Sequence, residues 1–374
     1  MAVIFNRRQV LAGMGSAAAL AASPAFALAS GRAAVLARGV NIPDLVPMRA
    51  ARAPSRHTLE HLRARGMTHV RLPIYAERAL PHFSDGATLS RTLDDLDRAL
   101  DLLLGCGFAV SVDMHPGAGL PRLYRRDPQA AFKALLAGWL LLGARVRRRP
   151  PALVFAELLN EPPTTDAVWR AQAAALVDRL RDHLPDTTMI VGAAPYERVE
   201  ALANWPTLSD QNVVYAFHYY DPMAFTHQGE TWDASSPYAQ MSGIPFPIDP
   251  KDPDIAKLRA SLPGKLSPAA AKELEQTLSR PWTEAVIAQA FAPLAAWSRV
   301  HSVPVVLNEF GVLRFKTTPR DRAAWIEAVR RQAERHGFGW AHWEYGNGFG
   351  LLDENGRLDR QIVDALLPPR AARH

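Results

Sequence analysis

The stretch LVFAELLNEP, Leu153 to Pro162, has the pattern of a buried strand that ends in a polar cluster. Apolar residues fill most of its first seven positions, and an amide and a carboxylic acid, Asn160 and Glu161, follow them. The stretch VPVVLNEFG repeats this pattern and delivers a second acid, Glu309. The carboxyl ends of parallel strands lie together at one edge of a sheet. The two stretches therefore predict two carboxylates at the same edge.

Apolar runs of strand length alternate with helical patterns through most of the chain, which is the signature of repeated βα units. In one intervening segment Leu93, Leu96 and Leu100 recur at helical spacing. Eight strands are predicted, at 33–42, 68–74, 107–115, 152–160, 188–194, 212–220, 304–310 and 337–345. Further helices are predicted at 128–148, 165–184, 283–300 and 319–336.

This element order predicts an α/β protein with the (β/α)8 architecture of a TIM barrel. A doubly wound open sheet is the structural alternative. It is the weaker one, because no glycine-rich phosphate loop follows the first strand.

Residues 1–29 have the pattern of an export signal, so we expect one catalytic domain over 30–374. Arg7 and Arg8 precede a short apolar middle and resemble a twin-arginine signal. An ordinary signal peptide and an uncleaved anchor are the alternatives. We expect a periplasmic or secreted protein with no stable membrane association after signal cleavage.

The composition is that of a globular protein, with 48% hydrophobic and 21% charged residues. The formal charge of +6 includes Arg7 and Arg8, and the remainder is too small and too dispersed to predict nucleic-acid binding. The basic run 145–149 is expected at the end of a helix. The single cysteine, Cys106, excludes an internal disulfide and a cysteine-based zinc site, and we expect an inert buried thiol.

A long insertion, residues 221–281, follows the sixth predicted strand and is rich in proline and aromatic residues. Long loops after barrel strands commonly carry function. We interpret the segment as a cap that brings aromatic side chains toward a cleft: Phe225, Trp232, Tyr238 and Phe246. A packed surface excursion without substrate contact is an equal alternative.

The ends of the predicted strands carry polar and aromatic residues suited to a sugar: Asn41, Arg71, His115, Asn160, Glu161, His218, Tyr220, Glu309 and Trp343. Cleaving a glycosidic bond needs a proton for the leaving oxygen and a partner for the oxocarbenium-like carbon. Two close carboxylates can divide these roles, because each negative charge raises the pKa of its neighbour. Arg71 would hold the second carboxylate ionised, which makes Glu161 the acid and base.

Through these motifs the chain resembles glycoside hydrolase family 5, the cellulase-type retaining (β/α)8 barrels, over nearly all of its mature length. Asn160-Glu161-Pro162 is similar to the family's strand-four motif, and Glu309-Phe310-Gly311 is similar to its strand-seven motif. The resemblance implies that Glu161 is the acid/base and Glu309 the nucleophile. We expect Asn160 to bind the 2-hydroxyl of the sugar.

The same resemblance implies roles for five supporting residues. Arg71, in VRLPI, would support the nucleophile, and His115, in VDMHPG, would lie near the catalytic sugar. His218 and Tyr220, in FHYYD, match a His-x-Tyr pair whose tyrosine lies beside the nucleophile. Trp343, in AHWEYG, would form the platform for the catalytic sugar.

Other polar and aromatic residues have structural alternatives. Glu157 is expected inside the barrel, too far from the rim for chemistry, and Glu344 is expected to point away from the cleft. Asn41 is expected to brace neighbouring loops. Trp205 and Trp232 are possible subsites, with a packing role for Trp205 about equally favoured. Tryptophans in helical patterns are expected in the core: Trp139, Trp169, Trp297 and Trp325.

The predicted function is that of an exported, monomeric, retaining glycoside hydrolase that cleaves a β-linked carbohydrate, with β-glucan the first choice. A transglycosylase on β-glucan, a β-mannanase and an exo-β-1,3-glucanase are the alternatives. A non-catalytic carbohydrate binder is disfavoured because both carboxylates are present. No catalytic metal is expected, since the sequence lacks a His-Glu-x-x-His pattern or a compact ligand cluster. No cofactor and no nucleic-acid partner are expected either. Linkage and endo or exo action depend on loop geometry that no motif encodes.

Overall fold

The computed structural model describes residues 24–47, 53–261, 264 and 266–369, and these form a closed barrel of eight parallel strands. The barrel is closed by pairing of the last strand with the first, which confirms the predicted fold and makes the open-sheet alternative wrong. The strands are β1 Arg38–Asn41, β2 His69–Tyr75, β3 Ala109–His115, β4 Val154–Glu157, β5 Met189–Gly192, β6 Val213–His218, β7 Val305–Glu309 and β8 Gly339–His342.

Helices surround the barrel, and the four ranges predicted at 128–148, 165–184, 283–300 and 319–336 are confirmed as helices. The helices are α1 Pro24–Ala33, α2 Arg56–Ala64, α3 Ala76–Ala79, α4 Gly86–Gly105, α5 Gly119–Arg126, α6 Pro128–Val146, α7 Asp166–Arg181, α8 Val199–Leu202, α9 Met223–Thr226, α10 Pro253–Ser261, α11 Pro268–Leu278, α12 Glu284–His301, α13 Pro319–Arg335 and α14 Arg360–Leu366. Short 3₁₀ turns occur at Ala34–Leu36, Pro43–Leu45 and Pro237–Gln240. The four tryptophans predicted for the core, Trp139, Trp169, Trp297 and Trp325, are buried.

The barrel interior is apolar at its lower end and polar at its upper end. Phe155, Val214 and Val306 form part of a separate apolar cluster that fills the lower end. Alternate residues of a strand face the same side, so Glu157, two positions after Phe155, faces the interior one layer higher. Large apolar clusters between the strands and the helices stabilise the fold. The strands can therefore hold charged groups in the upper interior with little freedom to move.

The predicted export signal lies outside the described residues, except for its last six positions, which belong to α1. None of the described helices combines the length and the apolar character that a membrane span requires. Cys106 is buried, as expected.

The predicted basic run begins in the last turn of α6, as expected for a helix end. Its arginines also have specific partners on α4. Arg149 pairs with Asp97 at 2.9 Å, and Arg145 contacts the same carboxylate.

The insertion contains α9, α10 and α11 and builds its own apolar contacts. Phe225 and Phe246 are buried and lie against each other, with ring centroids 5.7 Å apart. The expectation that these two rings point toward a cleft is therefore wrong, because they form the interior of the insertion. Trp232, by contrast, is 59% exposed and faces the cleft described next.

Candidate active site

The carboxyl ends of the strands open into a cleft with a volume of about 700 Å³. Six of the strand-end residues singled out from the sequence line it: His115, Asn160, Glu161, Tyr220, Glu309 and Trp343. Two others, Arg71 and His218, are buried beside it and contact its carboxylates. The residues that the motifs selected thus lie together at one end of the barrel.

The two acidic residues that opened the sequence argument face each other across the cleft. Glu309 is the last residue of β7, whereas Glu161 lies in the loop after β4, with a left-handed φ of 42°. An oxygen of Glu161 and an oxygen of Glu309 lie within 4.8 Å of each other. Retaining glycosidases place their carboxyl groups about 5–5.5 Å apart and inverting ones about 6.5–9.5 Å apart. An approach of two oxygens to within 4.8 Å agrees with the shorter of these separations.

Arg71 connects the carboxylates to the barrel interior. Its Nη1 donates to Oε1 of Glu309 at 2.6 Å and to Oδ1 of Asn41 at 2.9 Å, and its Nη2 donates to Oδ1 of Asn160 at 2.7 Å. Because Oδ1 of Asn160 is occupied by this bond, the amide Nδ2 is the group that it can offer to a sugar.

Two further carboxylates pair with Arg71 below the cleft. Glu157 accepts from Nε at 2.8 Å, and Asp113 lies 3.2 Å from Nη2. Burial opposes the charge of the guanidinium, but Asp113, Glu157 and Glu309 raise the pKa of Arg71 well above its ordinary value. Burial also raises the pKa of Glu157 to about 7. Glu157 is fully buried, as the sequence predicted for an interior residue.

His218 lies between carboxylates at the end of β6. Its Nδ1 is 2.9 Å from Oε1 of Glu161 and 3.6 Å from Oε2 of Glu309, and its Nε2 is 2.7 Å from Oε2 of Glu197. Burial opposes protonation of the ring, but Glu309, Glu197 and Glu161 together raise the pKa of His218 well above its ordinary value.

The pKa of Glu161 differs from the sequence-based expectation. A neighbouring carboxylate was expected to raise it, and burial does act in that direction. The hydrogen bond and the charge of His218 outweigh burial, so the pKa of Glu161 is lowered. The expectation is wrong because it left out the cationic histidine at 2.9 Å.

Aromatic rings form the walls around the carboxylates. The Tyr220 hydroxyl donates to Oε2 of Glu309 at 3.0 Å, and burial and Glu309 raise the pKa of Tyr220 well above its ordinary value, so the phenol stays protonated. His115 stacks on Trp343, with centroids 5.6 Å apart and planes 10° apart, and meets the ring of Tyr75 edge-on. Nδ1 of His115 lies 3.0 Å from Oδ2 of Asp113, and this hydrogen bond orients the ring. A flat, partly apolar surface beside polar groups suits the face of a sugar ring.

The insertion contributes His227 and Trp232 to the cleft. Thr226 Oγ1 donates to the carbonyl of Tyr220 at 2.6 Å, so its 2.9 Å contact with His227 requires Nδ1 of His227 to be the donor. Burial lowers the pKa of His227 to about 4, so the ring is neutral near pH 7 and Nε2 is an acceptor.

Three other predictions have clear outcomes. Trp205 is not a subsite: it is only 2% exposed, and its indole nitrogen donates to Oδ1 of Asp166 at 2.9 Å. Glu344 accepts from Nδ2 of Asn347 at 2.8 Å, as expected for a structural pairing, but it lines the cleft rather than pointing away. Asn41 is fully buried and braces the barrel, donating to the carbonyl of Asn308 at 2.9 Å.

Among the described residues, one group could offer three ligands to a metal ion: Glu161, His218 and Glu309, whose ligand atoms lie within 4.8 Å of one another. Side-chain atoms of all three residues are engaged in hydrogen bonds to one another, to Arg71 and to Tyr220. The absence of a catalytic metal stays a prediction.

Sequence reasoning missed two acids that organise the site, Asp113 and Glu197. Asp113 lies two positions before His115 in β3, so strand alternation could have placed both on the same face. Glu197 follows β5 by five positions in an irregular turn, and no periodicity in the sequence connects it with His218.

Comparisons with known proteins agree with this geometry. The family model described as cellulase, glycosyl hydrolase family 5, matches residues 35–348. Endoglucanase 3 of Fibrobacter succinogenes is 30% identical over 246 residues, which are 64% of this chain and 36% of the relative. Cellodextrinase A of Ruminococcus flavefaciens is 24% identical over 73% of this chain and 72% of its own length. The chain thus spans about a third of the first of these relatives and most of the second.

The fold is also found among solved structures. A structure of Thermotoga maritima Cel5A in complex with mannotriose superposes with a TM-score of 0.70 at 23% identity, covering 90% of this chain and 98% of that one.

Proposed function

Since the chain belongs to the cellulase family, glycosyl hydrolase family 5, we propose that it is a retaining glycoside hydrolase that cleaves β-glycosidic bonds in a β-glucan. The observation that carries the proposal is the approach of an oxygen of Glu161 to within 4.8 Å of an oxygen of Glu309, at the bottom of an open cleft. This spacing leaves room for a sugar carbon between the carboxylates but not for an attacking water as well.

In the first step Glu309 attacks the anomeric carbon while Glu161 donates a proton to the leaving oxygen. Arg71 and Tyr220 each donate to a different oxygen of Glu309, at 2.6 and 3.0 Å, and so orient the attacking carboxylate. Asn160, whose Oδ1 accepts from Arg71, directs its amide hydrogens toward the 2-hydroxyl of the same sugar.

In the second step Glu161 accepts a proton from water as the water attacks the anomeric carbon and the bond to Glu309 breaks. Trp343 and the stacked His115 support one face of the sugar whose anomeric carbon reacts in both steps. Each displacement inverts the configuration of the anomeric carbon, and two inversions leave the product in the β configuration.

We propose endo action on a chain that crosses the cleft. Glu161 borders the main cleft and also two adjoining cavities of about 400 and 570 Å³, which extend past Tyr196. Space on both sides of the carboxylates is what an internal bond of a polymer requires.

β-Glucan is the proposed substrate because Endoglucanase 3 and Cellodextrinase A are the named relatives. β-Mannan is the second candidate, since Cel5A of Thermotoga maritima binds mannotriose. Hydrolysis is favoured over transglycosylation because Trp232 and Tyr196, on the two sides of the cleft, are each 59% exposed, and water can reach the intermediate.

We further propose that the protein is exported as a monomer to the periplasm or the exterior. The support for export is the sequence of residues 1–29, with Arg7 and Arg8 before a short apolar segment.

The test is a product profile on a panel of soluble β-glucans and β-mannans, with Glu309→Ala as the blank. We expect rapid loss of viscosity on a β-glucan and initial release of the β-anomer by NMR. Release of the α-anomer would contradict the retaining mechanism, and equal rates with the Glu309→Ala blank would contradict the assignment of the nucleophile.

A further inference from the structure

A third acid, Glu197, is buried beside the proposed catalytic pair and has no part in the mechanism above. Its side chain is fully buried, and its Oε2 lies 2.7 Å from Nε2 of His218. Neither of its oxygens, nor Nε2 of His218, forms a hydrogen bond with the described residues, so the 2.7 Å approach is an ion-pair contact. Burying a carboxylate costs free energy unless an opposite charge or a hydrogen bond offsets the loss of water. The contact with the imidazole of His218 is the interaction that offsets this cost for Glu197.

The backbone is arranged to hold this contact. Tyr196 and Glu197 both adopt left-handed φ values, 60° and 51°, which are uncommon for residues with side chains. The carbonyl of Glu197 accepts from the amide of His218 at 2.8 Å, so the two residues are connected through main chain and side chain. Gly192, at the end of β5, leaves the space for the carboxyl group, because a Cβ there would overlap with Oε1 of Glu197.

We propose that Glu197 is a positioning residue that holds a proton on Nε2 of His218, so that the proton at Nδ1 is shared with Glu161 and supplies the acid/base. This inference rests on the proposed function and deepens it. Glu161, His218 and Glu197 form a line in which the imidazole separates the reacting acid from its buried counter-charge.

The proton balance follows from this arrangement. Before reaction one proton lies between Nδ1 of His218 and Oε1 of Glu161, and a second is fixed on Nε2 against Glu197. The leaving oxygen takes the shared proton through Glu161 as its bond to the anomeric carbon breaks. Glu161 regains a proton from the attacking water, and the Nε2 proton does not move.

The arrangement also accounts for the lowered pKa of Glu161. A lowered pKa alone would leave the acid unprotonated near neutral pH. When the proton is shared with His218, the pair keeps it up to the raised pKa of the histidine. The other titratable or charged groups around Glu161 and the imidazole are Arg71, His115, Tyr220, His227 and Glu309.

The effect of Glu197 can be separated from that of its neighbours. Besides Glu197, the carboxylates near the ring are those of Glu161, at 2.9 Å, and Glu309, at 3.6 Å, and both stay in place when Glu197 is changed. Removal of the Glu197 charge lowers the pKa of His218, so the proton that His218 shares with Glu161 is released at lower pH.

The test is the pH profile of kcat/KM for Glu197→Gln, which keeps the shape and removes the charge. We expect the alkaline limb to move to lower pH by about one unit or more, with the acid limb unchanged. Glu197→Asp, which keeps the charge but withdraws it from Nε2, should give a smaller shift. Glu60→Gln is the matched control, because Glu60 lies on α2, away from the cleft and its adjoining cavities, with its side chain 54% exposed, and its profile should be that of the parent.

A folded Glu197→Gln enzyme with an unmoved alkaline limb would overturn the proposal while leaving the proposed hydrolase intact. If Glu197→Gln does not fold, the alkaline limb of the Glu197→Asp profile is the test, and an unmoved limb there would also overturn the proposal. Nitrogen-15 NMR of histidine-labelled parent protein gives a readout without activity: we expect a His218 ring protonated at Nε2 near pH 7. An unprotonated Nε2 would overturn the proposal even if hydrolysis were established.

Discussion

At the scale of single residues, the assignment of Glu161 as acid/base predicts a specific pattern of chemical rescue. Glu161→Ala should lose about 10²–10⁴-fold in kcat on a natural glucan, because neither the leaving oxygen nor the water is assisted. An aryl glycoside with a good leaving group still forms the glycosyl-enzyme. Added azide needs no base, so it should restore turnover and give a β-glycosyl azide, identified by NMR.

Glu309→Ala provides the contrast for this prediction. Without the nucleophile no covalent intermediate forms, so azide can attack only the opposite face of the sugar and any rescued product should be the α-azide. A β-azide from Glu309→Ala, or no rescue of Glu161→Ala by azide, would contradict the two assignments.

The sequence was informative about residues that end strands and uninformative about residues in irregular turns. Glu309 and His115 are the last residues of β7 and β3, and their motifs located them. Glu197 depends on two left-handed residues and on the space left by Gly192, and neither feature has a periodic pattern. The lowered pKa of Glu161 could not be predicted either, because it depends on the approach of His218 from another strand.

At the scale of elements, strand order was predicted well and strand ends less well. The predicted fourth strand continued to residue 160, whereas β4 ends at Glu157. Leu158 and Leu159 are apolar and buried, so they extend the pattern of a strand although they lie in the following loop. The early end of β4 allows the chain to turn and to present Glu161 over the cleft.

The insertion after β6 gives the element-scale prediction. Trp232 is 59% exposed, borders the cleft, and lies 6.2 Å from the ring of Phe349 and 6.0 Å from that of His227. If it stacks on a sugar remote from the cleaved bond, Trp232→Ala removes binding without touching the chemistry. We expect KM for long oligosaccharides to rise about fivefold to tenfold, equivalent to about 1–1.4 kcal/mol, with kcat little changed.

Initial-rate kinetics on oligosaccharides of increasing length provide the measurement. The rise in KM should grow with chain length and be absent for the shortest substrate. Val300→Ala, a change at a 78% exposed apolar residue on α12, is the control. A loss confined to kcat would show that Trp232 acts on the reaction rather than on a remote subsite.

At the scale of the whole molecule, the barrel buries histidines that must stay neutral for the protein to fold. Burial, with the charge of Arg71, lowers the pKa of His69 to about 3, and burial lowers that of His342 well below its ordinary value. In the unfolded chain these two histidines have ordinary pKa values, so between about pH 6.5 and 3 they bind more protons there than in the folded chain. Their contribution to stability is therefore complete above about pH 6.5 and falls as the pH is lowered.

For His69 alone, a pKa of about 3 in the folded state and about 6.5 in the unfolded state gives a loss of about 2 kcal/mol at pH 5 relative to pH 7.5. His69→Asn removes this titration while keeping a polar group in the same interior position. Urea unfolding at both pH values should show a decrease that is about 2 kcal/mol smaller for His69→Asn than for the parent protein. The exposed His57, changed to Asn, is the matched control and should behave as the parent. Equal pH dependence in His69→Asn and parent would mean that His69 is hydrated or charged in the folded barrel, contrary to the lowering of its pKa by burial and by Arg71.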